Sequence, residues 1–330
     1  MENSRAPLQK KTTTFAVHQI PLECDIYDAH DYSTDSPVFL YFHPGGLVAG
    51  ARIVVPPWLA QTCFRHKWPL ISASYRLLPQ ARGEDLLQDA TAAYEFARTL
   101  GGAERKVIVG GASAGNFLAT LIAHHLTPKP LAVLSITGIP TFRHRFFNSS
   151  VLIPSEPVTE DDVAPFVSGP VTIGRDASHP LSVFDVHKLD ASGAKNPLFV
   201  PGDRLPPEWA HDPERGLLYD FYLHENLFLD FVGSVDPGFD WAENKSDPEK
   251  LKNWPTTIFI QGDADDDVEA DVCSSVASAL GDKAMYFEAK GMPHLYERHM
   301  FLEDIENGTG PGEVAVKQAI TALDGVIGGV

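Results

Sequence analysis

Two hydrophobic periods alternate along the chain. Short, largely apolar runs that read as strands recur at Pro37–Phe42, Pro69–Ser74, Lys106–Gly110, Leu131–Ile136, Thr256–Ile260 and Ala284–Glu288, and Pro37–Phe42 is apolar without a break. An unbroken apolar run of this length predicts a strand covered on both faces. Between these runs lie amphipathic stretches. The clearest is Glu84–Leu100, where Leu86, Ala90, Ala93, Ala97 and Leu100 recur at steps of four and three. Pro56–His66, Asn116–His125, Val268–Leu280 and Val314–Ile327 also read as helices. Strand–helix alternation predicts an α/β fold, a mostly parallel central sheet with helices on both faces. Ahead of it, Phe15–Ile20 and Leu22–Tyr27 alternate polar and apolar residues on either side of Pro21, which predicts two antiparallel strands. Residues 1–13 read as a loose polar arm.

The rhythm fails between residues 141 and 250. This stretch is rich in proline and carries Phe142, Phe146, Phe147, Phe166, Phe184, Trp209, Phe221, Tyr222, Phe228, Phe231, Phe239 and Trp241. Only one helix, Pro213–Phe231, is evident. A structureless loop of that size does not occur inside a compact domain. Residues 141–250 are therefore expected to form an inserted cap or lid, with residues 1–140 and 251–330 as the core.

The chemistry concentrates at the ends of the predicted strands. Gly111-Ala112-Ser113-Ala114-Gly115 joins a β-branched run to an apolar helix. That context suits a nucleophile elbow, a tight turn that projects a serine hydroxyl from the sheet edge. The helix N-terminus just after Ser113 favours negative charge there. His43-Pro44-Gly45-Gly46 follows a buried strand. Glycines at that point let backbone N–H groups of Gly45 or Gly46 face a cavity, and with that of Ala114 they form a candidate oxyanion hole. His43 is expected to shape this loop. Late in the chain, Asp265 and His294 each follow a predicted strand, in the order Ser, Asp, His. The catalytic expectation is Ser113 as nucleophile, His294 as general base and Asp265 as its orienting acid. Asp263, Asp266 and Asp267 crowd the same loop as Asp265. Asp265 is preferred because it stands three residues after Gly262 and three before Val268. His124 and His125 fall at a helix end, His299 is expected on a helix surface, and Asp89 is given a structural role.

Composition narrows the partners. The formal charge is −18, which opposes binding to nucleic acid and to anionic membranes. No apolar window reaches a transmembrane length, and the N-terminus lacks the apolar core of a secretory signal. Cys24, Cys63 and Cys273 are odd in number and scattered, which suits a reducing compartment and forms no metal motif. The expectation is a cytoplasmic protein that needs no cofactor and no metal.

Three motifs together resemble the hormone-sensitive-lipase-like branch of the α/β-hydrolase superfamily. His43-Pro44-Gly45-Gly46 matches that branch's His-Gly-Gly-Gly. Ser74-Tyr75-Arg76-Leu77-Leu78-Pro79 matches its Asp-Tyr-Arg-Leu-Ala-Pro. Gly111-Ala112-Ser113-Ala114-Gly115 matches its Gly-Asp-Ser-Ala-Gly. The resemblance implies the α/β-hydrolase fold and a Ser-His-Asp triad. Pro44, Ala112 and Asn116 depart from the pattern, and the distance from Ser113 to Asp265 is longer than usual. The bulk is inserted after the strand that follows the elbow helix, and this enlarged cap with the modified oxyanion loop looks like fungal stand-alone hydrolases of polyketide pathways.

The leading expectation is a serine hydrolase that cleaves a carboxylic ester through an acyl-enzyme on Ser113. The aromatic insertion points to an apolar acyl group. The alternative is a thioesterase that releases or lactonises a polyketide acyl chain from an acyl-carrier domain. A non-catalytic receptor of the same fold would lack the histidine, which His294 opposes. Leu47 stands where a formamidase would carry tryptophan, and an epoxide hydrolase would need aspartate at position 113.

Overall fold

The computed structural model describes residues 6–328 apart from 103, 178, 203, 206–208 and 210–212. Its frame is one eight-stranded sheet. The strands are β1 (Gln9–His18), β2 (Ile20–Asp28), β3 (Val38–Phe42), β4 (Leu70–Ala73), β5 (Val107–Ala112), β6 (Ala132–Ile136), β7 (Thr256–Gly262) and β8 (Ala284–Ala289). They lie in the order β1-β2-β4-β3-β5-β6-β7-β8. The six strands from β3 onward pair in parallel, while β2 runs antiparallel to both β1 and β4. Every residue of β3, β4, β5 and β6 is buried, including Ser72 and Ser135 within the largely apolar runs.

The helices are α1 (Pro57–His66), α2 (Gly83–Arg98), α3 (Gly115–His125), α4 (Glu160–Val167), α5 (Leu217–His224), α6 (Phe228–Val232), α7 (Asp240–Glu243), α8 (Pro248–Asn253), α9 (Ala270–Leu280), α10 (Leu302–Asn307) and α11 (Pro311–Gly328). One core gathers Leu86 and Ala90 of α2, Phe117 and Leu121 of α3, and Val272 and Val276 of α9. The other gathers Trp58 and Leu59 of α1 with Val316 and Leu323 of α11. The sheet is thus covered on both faces.

The N-terminal expectation needs correction. Residues 1–5 of the predicted polar arm lie outside the described residues, and β1 already begins at Gln9. Its polar residues serve the pairing. Thr12 faces Asp25 across the ladder and donates its hydroxyl to that carboxylate at 2.7 Å, and Lys10 pairs with the same group at 3.0 Å. The turn between the strands falls at Gln19, whose φ is +64°, and Pro21 sits inside β2 opposite Val17.

Between β6 and β7 the chain forms short helices and irregular segments. The predicted helix Pro213–Phe231 is instead a 3₁₀ turn (Pro213–Gly216), α5 and α6. The break lies at Asn226, in the left-handed region at φ +58° and locked to Ser150. Its Oδ1 accepts from the Ser150 amide at 2.8 Å, and its amide nitrogen donates to the Ser150 hydroxyl at 2.7 Å. The aromatics of this stretch pack largely against α3 and one another. Phe142 stacks on Phe228 at 4.6 Å and meets Phe117 edge-on at 5.1 Å.

Candidate active site

The parallel strands end along one edge, and a cavity of about 480 Å³ opens there. Ser113 stands at the turn from β5 into α3 with φ +50°. A non-glycine residue there costs roughly 1–2 kcal/mol, and the surroundings hold it. Its amide donates to the Ile136 carbonyl at 2.9 Å, and its carbonyl accepts from the Ile139 amide at 2.9 Å. The small neighbours are obligatory. A Cβ on Gly111 would stand 2.3 Å from the Gly115 backbone, and one on Gly115 would stand 2.3 Å from the Phe42 carbonyl oxygen.

Ser113, His294 and Asp265 come together from three loops. His294 Nε2 lies 3.0 Å from Ser113 Oγ, and His294 Nδ1 lies 2.8 Å from Asp265 Oδ2. The Asp265 carboxylate is fully buried and well held. Its Oδ1 accepts from the amides of Val268 at 2.8 Å and Asp267 at 3.1 Å, and its Oδ2 also accepts from Gln261 Nε2 at 2.8 Å. Asp263, Asp266 and Asp267 are exposed. Asp263 accepts from the Gly291 amide, and Asp267 lines the cavity. Burial pulls the His294 imidazole towards its neutral form. The hydrogen bond and charge of Asp265, with the charges of Asp267 and Glu297, outweigh that and raise its pKa above the ordinary value.

Gly45 and Gly46 line the same cavity at φ +129° and +64°. Among the described residues, no backbone carbonyl accepts from the N–H groups of Gly45, Gly46 or Ala114. His43 is buried and stacked on Tyr75 at 4.3 Å. Burial pushes its pKa down to about 4, so this ring stays neutral and belongs to the scaffold of the loop.

The other candidates lie elsewhere. His124 is enclosed by Phe239, Trp241 and Trp254, and His125 bonds the Val235 carbonyl at 2.8 Å. His299 sits in an exposed turn rather than on the expected helix surface, because α10 begins only at Leu302. Asp89 holds the buried Arg76 guanidinium at 2.8 Å, away from the cavity.

The segment between β6 and β7 contributes Asp176, Ala177, Ser182, Gly216, Tyr219 and Asp220 to the lining. None of the twelve aromatic residues noted in the sequence is among them, and the aromatic side chain that this segment does bring to the cavity is Tyr219. The residues that sequence reasoning missed are Tyr41, Tyr219 and Glu297. Tyr219 donates its hydroxyl to the Asp267 carbonyl at 2.7 Å. Arg215 beside it donates to the Val48 carbonyl at 2.7 Å, just past the glycine loop. Glu297 is fully buried three residues after His294. That spacing is its only sequence signal.

A family model described as alpha/beta hydrolase fold matches residues 39–200, a range that holds Gly45, Gly46 and Ser113. Lipase 2 of Moraxella sp. is 32% identical over 106 residues, which are 31% of this chain and 24% of that protein. The probable carboxylesterase M8 of Phoma sp. is 37% identical over 60 residues, 17% of this chain and 19% of that protein. The chain thus aligns with 24% and 19% of the lengths of these relatives. The crystal structure of an alpha/beta hydrolase superfamily protein from Enterococcus faecalis superposes with a TM-score of 0.65. That match covers 96% of this chain and 98% of the other at 15% identity, which is a likeness of fold. Among the described residues, no helix is long and apolar enough to cross a membrane.

Proposed function

We propose that this chain, which has the α/β-hydrolase fold, is a serine hydrolase of carboxylic esters. The observation that carries the reading is the Asp265–His294–Ser113 relay, with links of 2.8 Å and 3.0 Å at the sheet edge. The lipase and carboxylesterase relatives support the same reaction class.

The chemistry follows from the geometry. Ser113 Oγ attacks the ester carbonyl and gives its proton to His294 Nε2. Asp265 stays ionised, fixes the tautomer with the proton on Nδ1, and stabilises the imidazolium. The carbonyl oxygen gathers negative charge between the N–H groups of Ala114 and of Gly45 or Gly46, which are free to donate. His294 then protonates the leaving alcohol. Water enters, loses a proton to His294 and attacks the acyl-enzyme, and His294 returns that proton to Ser113 Oγ as the acid leaves.

Residues 141–250 act as a cap in this reading, because Asp176, Ser182 and Tyr219 close one side of the cavity. The same attack would serve a thioester. A carrier-bound chain, however, brings a phosphorylated arm to a cavity whose lining, among the described residues, holds four carboxyl residues, Asp176, Asp220, Asp267 and Glu297, against one cation, Arg298. That repulsion weighs for the oxygen ester.

The test is a para-nitrophenyl butyrate assay on wild type and Ser113→Ala, with an organophosphonate label located by mass spectrometry. Turnover and labelling should both depend on Ser113. An active Ser113→Ala protein, or a label on another residue, refutes the scheme.

A further inference from the structure

Among the described residues, three polar side chains in the cavity have no partner from another residue. Glu297 and Tyr41 are fully buried, and Ser182 is 5% exposed. No other residue bonds to either Glu297 carboxylate oxygen, and the Tyr41 and Ser182 hydroxyls are likewise unsatisfied among the described residues. All three line the cavity that holds Ser113. They come from separate parts of the chain: β3, the stretch after Ala177, and the turn after His294. Buried polar groups are almost always bonded, and one left alone costs free energy. Three unpaired groups around one cavity mark a place where a ligand completes the bonding.

We propose that Glu297, Tyr41 and Ser182 form a polar subsite that receives a hydroxyl group of the substrate, so that the enzyme prefers hydroxylated esters to their plain alkyl counterparts. This rests on the ester-hydrolase reading. The chemistry of the three groups selects a hydroxyl. Phenol, serine hydroxyl and carboxyl each accept a hydrogen bond, and the first two also donate. A substrate hydroxyl can do both at once. Burial raises the Glu297 carboxyl to about 7, so near neutral pH it donates in part of the population as well. Among the described residues, Asp176, Asp220 and Asp267 on the same walls outnumber the one cation there, Arg298, and so disfavour an anionic substituent. Glu297 and Tyr41 also feel one another electrostatically, since the acid's charge raises the phenol pKa.

The experiment compares matched esters on the whole chain. Para-nitrophenyl hydroxybutyrate is set against para-nitrophenyl butyrate for the acyl side. Glycerol monobutyrate is set against propyl butyrate for the alcohol side. Wild type should favour the hydroxylated member of at least one pair by roughly 10- to 100-fold in kcat/KM, the range a buried hydrogen bond supports. Glu297→Leu and Tyr41→Phe should each move that ratio towards one, and Glu297→Gln should keep much of it. Labelling of Ser113 by a hydroxyalkyl phosphonate and by its alkyl twin gives the same ratio without turnover, and Tyr41→Phe stays informative should Glu297→Leu not fold. A wild-type ratio near one in both pairs and in labelling overturns the inference. So does a ratio unchanged in Tyr41→Phe and Glu297→Leu alike, or faster turnover of an amino-substituted ester. If Ser113→Ala still hydrolyses the plain esters, the ester-hydrolase reading itself has failed. If hydrolysis needs Ser113 and the ratio is one, only the subsite has failed.

Discussion

Tyr219 stands directly over Gly46: a Cβ built on Gly46 would come within 2.6 Å of its ring. The same tyrosine bonds the Asp267 carbonyl, two residues past Asp265. One side chain thus touches both the glycine loop and the acid loop. Gly46→Ala should disturb that contact and also add a side chain at φ +64°. We expect kcat/KM for a simple ester to fall about 10- to 100-fold, the scale of one lost oxyanion donor or less. Adding Tyr219→Ala should return part of the loss, because it removes the ring and leaves the 3.0 Å approach of the residue 219 Cβ and the backbone strain. A double-mutant cycle measures the difference. Additive effects would show that the ring does not set the loop.

The relay itself makes a graded prediction. Ser113→Ala should lower kcat by about 10⁶-fold if the three residues act as a unit. Asp265→Asn should cost about 10⁴-fold by favouring the wrong tautomer. Asp266→Asn should stay within a few-fold, since that side chain is exposed and outside the cavity lining. Steady-state kinetics on the three variants checks the order. An Asp266→Asn defect as large as that of Asp265→Asn would mean the wrong acid had been assigned.

Much of this site is legible in the chain because each of the three residues follows an apolar run that reads as a strand. Val107–Val109 leads to Ser113, Ile258–Ile260 to Asp265, and Tyr286–Phe287 to His294. Parallel strands then place the three loops on one edge without further information. The segment between β6 and β7 is legible only as a break in that rhythm. Its aromatic residues look like a substrate pocket in sequence, yet Phe142, Phe147 and Phe228 pack on α3 and on each other. Composition reports apolar area and says nothing of which face it covers. Tyr219 and Glu297 were missed for a related reason, since each acts through a contact with a residue distant in sequence or through a cavity wall.

The raised pKa of His294 fixes the acid limb of the pH profile. The imidazole must be neutral to accept the Ser113 proton, so activity is lost as pH falls through its pKa. That midpoint should lie above the ordinary imidazole value, because Asp265, Asp267 and Glu297 favour the cation more than burial opposes it. Asp265→Asn should move the limb to lower pH. A kcat/KM profile of each protein, followed with a neutral ester, decides this. An unmoved limb would mean that another group titrates.

Glu297 sets a stability trade that can be measured apart from activity. Its carboxyl rises from 4.5 to about 7 because burial penalises the charge. The protonated form is therefore favoured by folding. Glu297 is harmless below its unfolded value, and it becomes progressively destabilising as pH rises from about 4.5 through about 7. A shift of that size corresponds to roughly 3 kcal/mol. Glu297→Gln keeps the shape and removes the titration, so it should unfold at a higher temperature than wild type at pH about 8 and at nearly the same temperature near pH about 4.5. Thermal unfolding followed by circular dichroism at the two pH values reads the difference. Equal gains at both would assign the effect to packing, and a loss at the higher pH would mean that the carboxylate has a partner in the folded chain. A residue kept at such a cost to stability is what a substrate subsite requires, since the group that destabilises the empty cavity is the one a bound hydroxyl would satisfy.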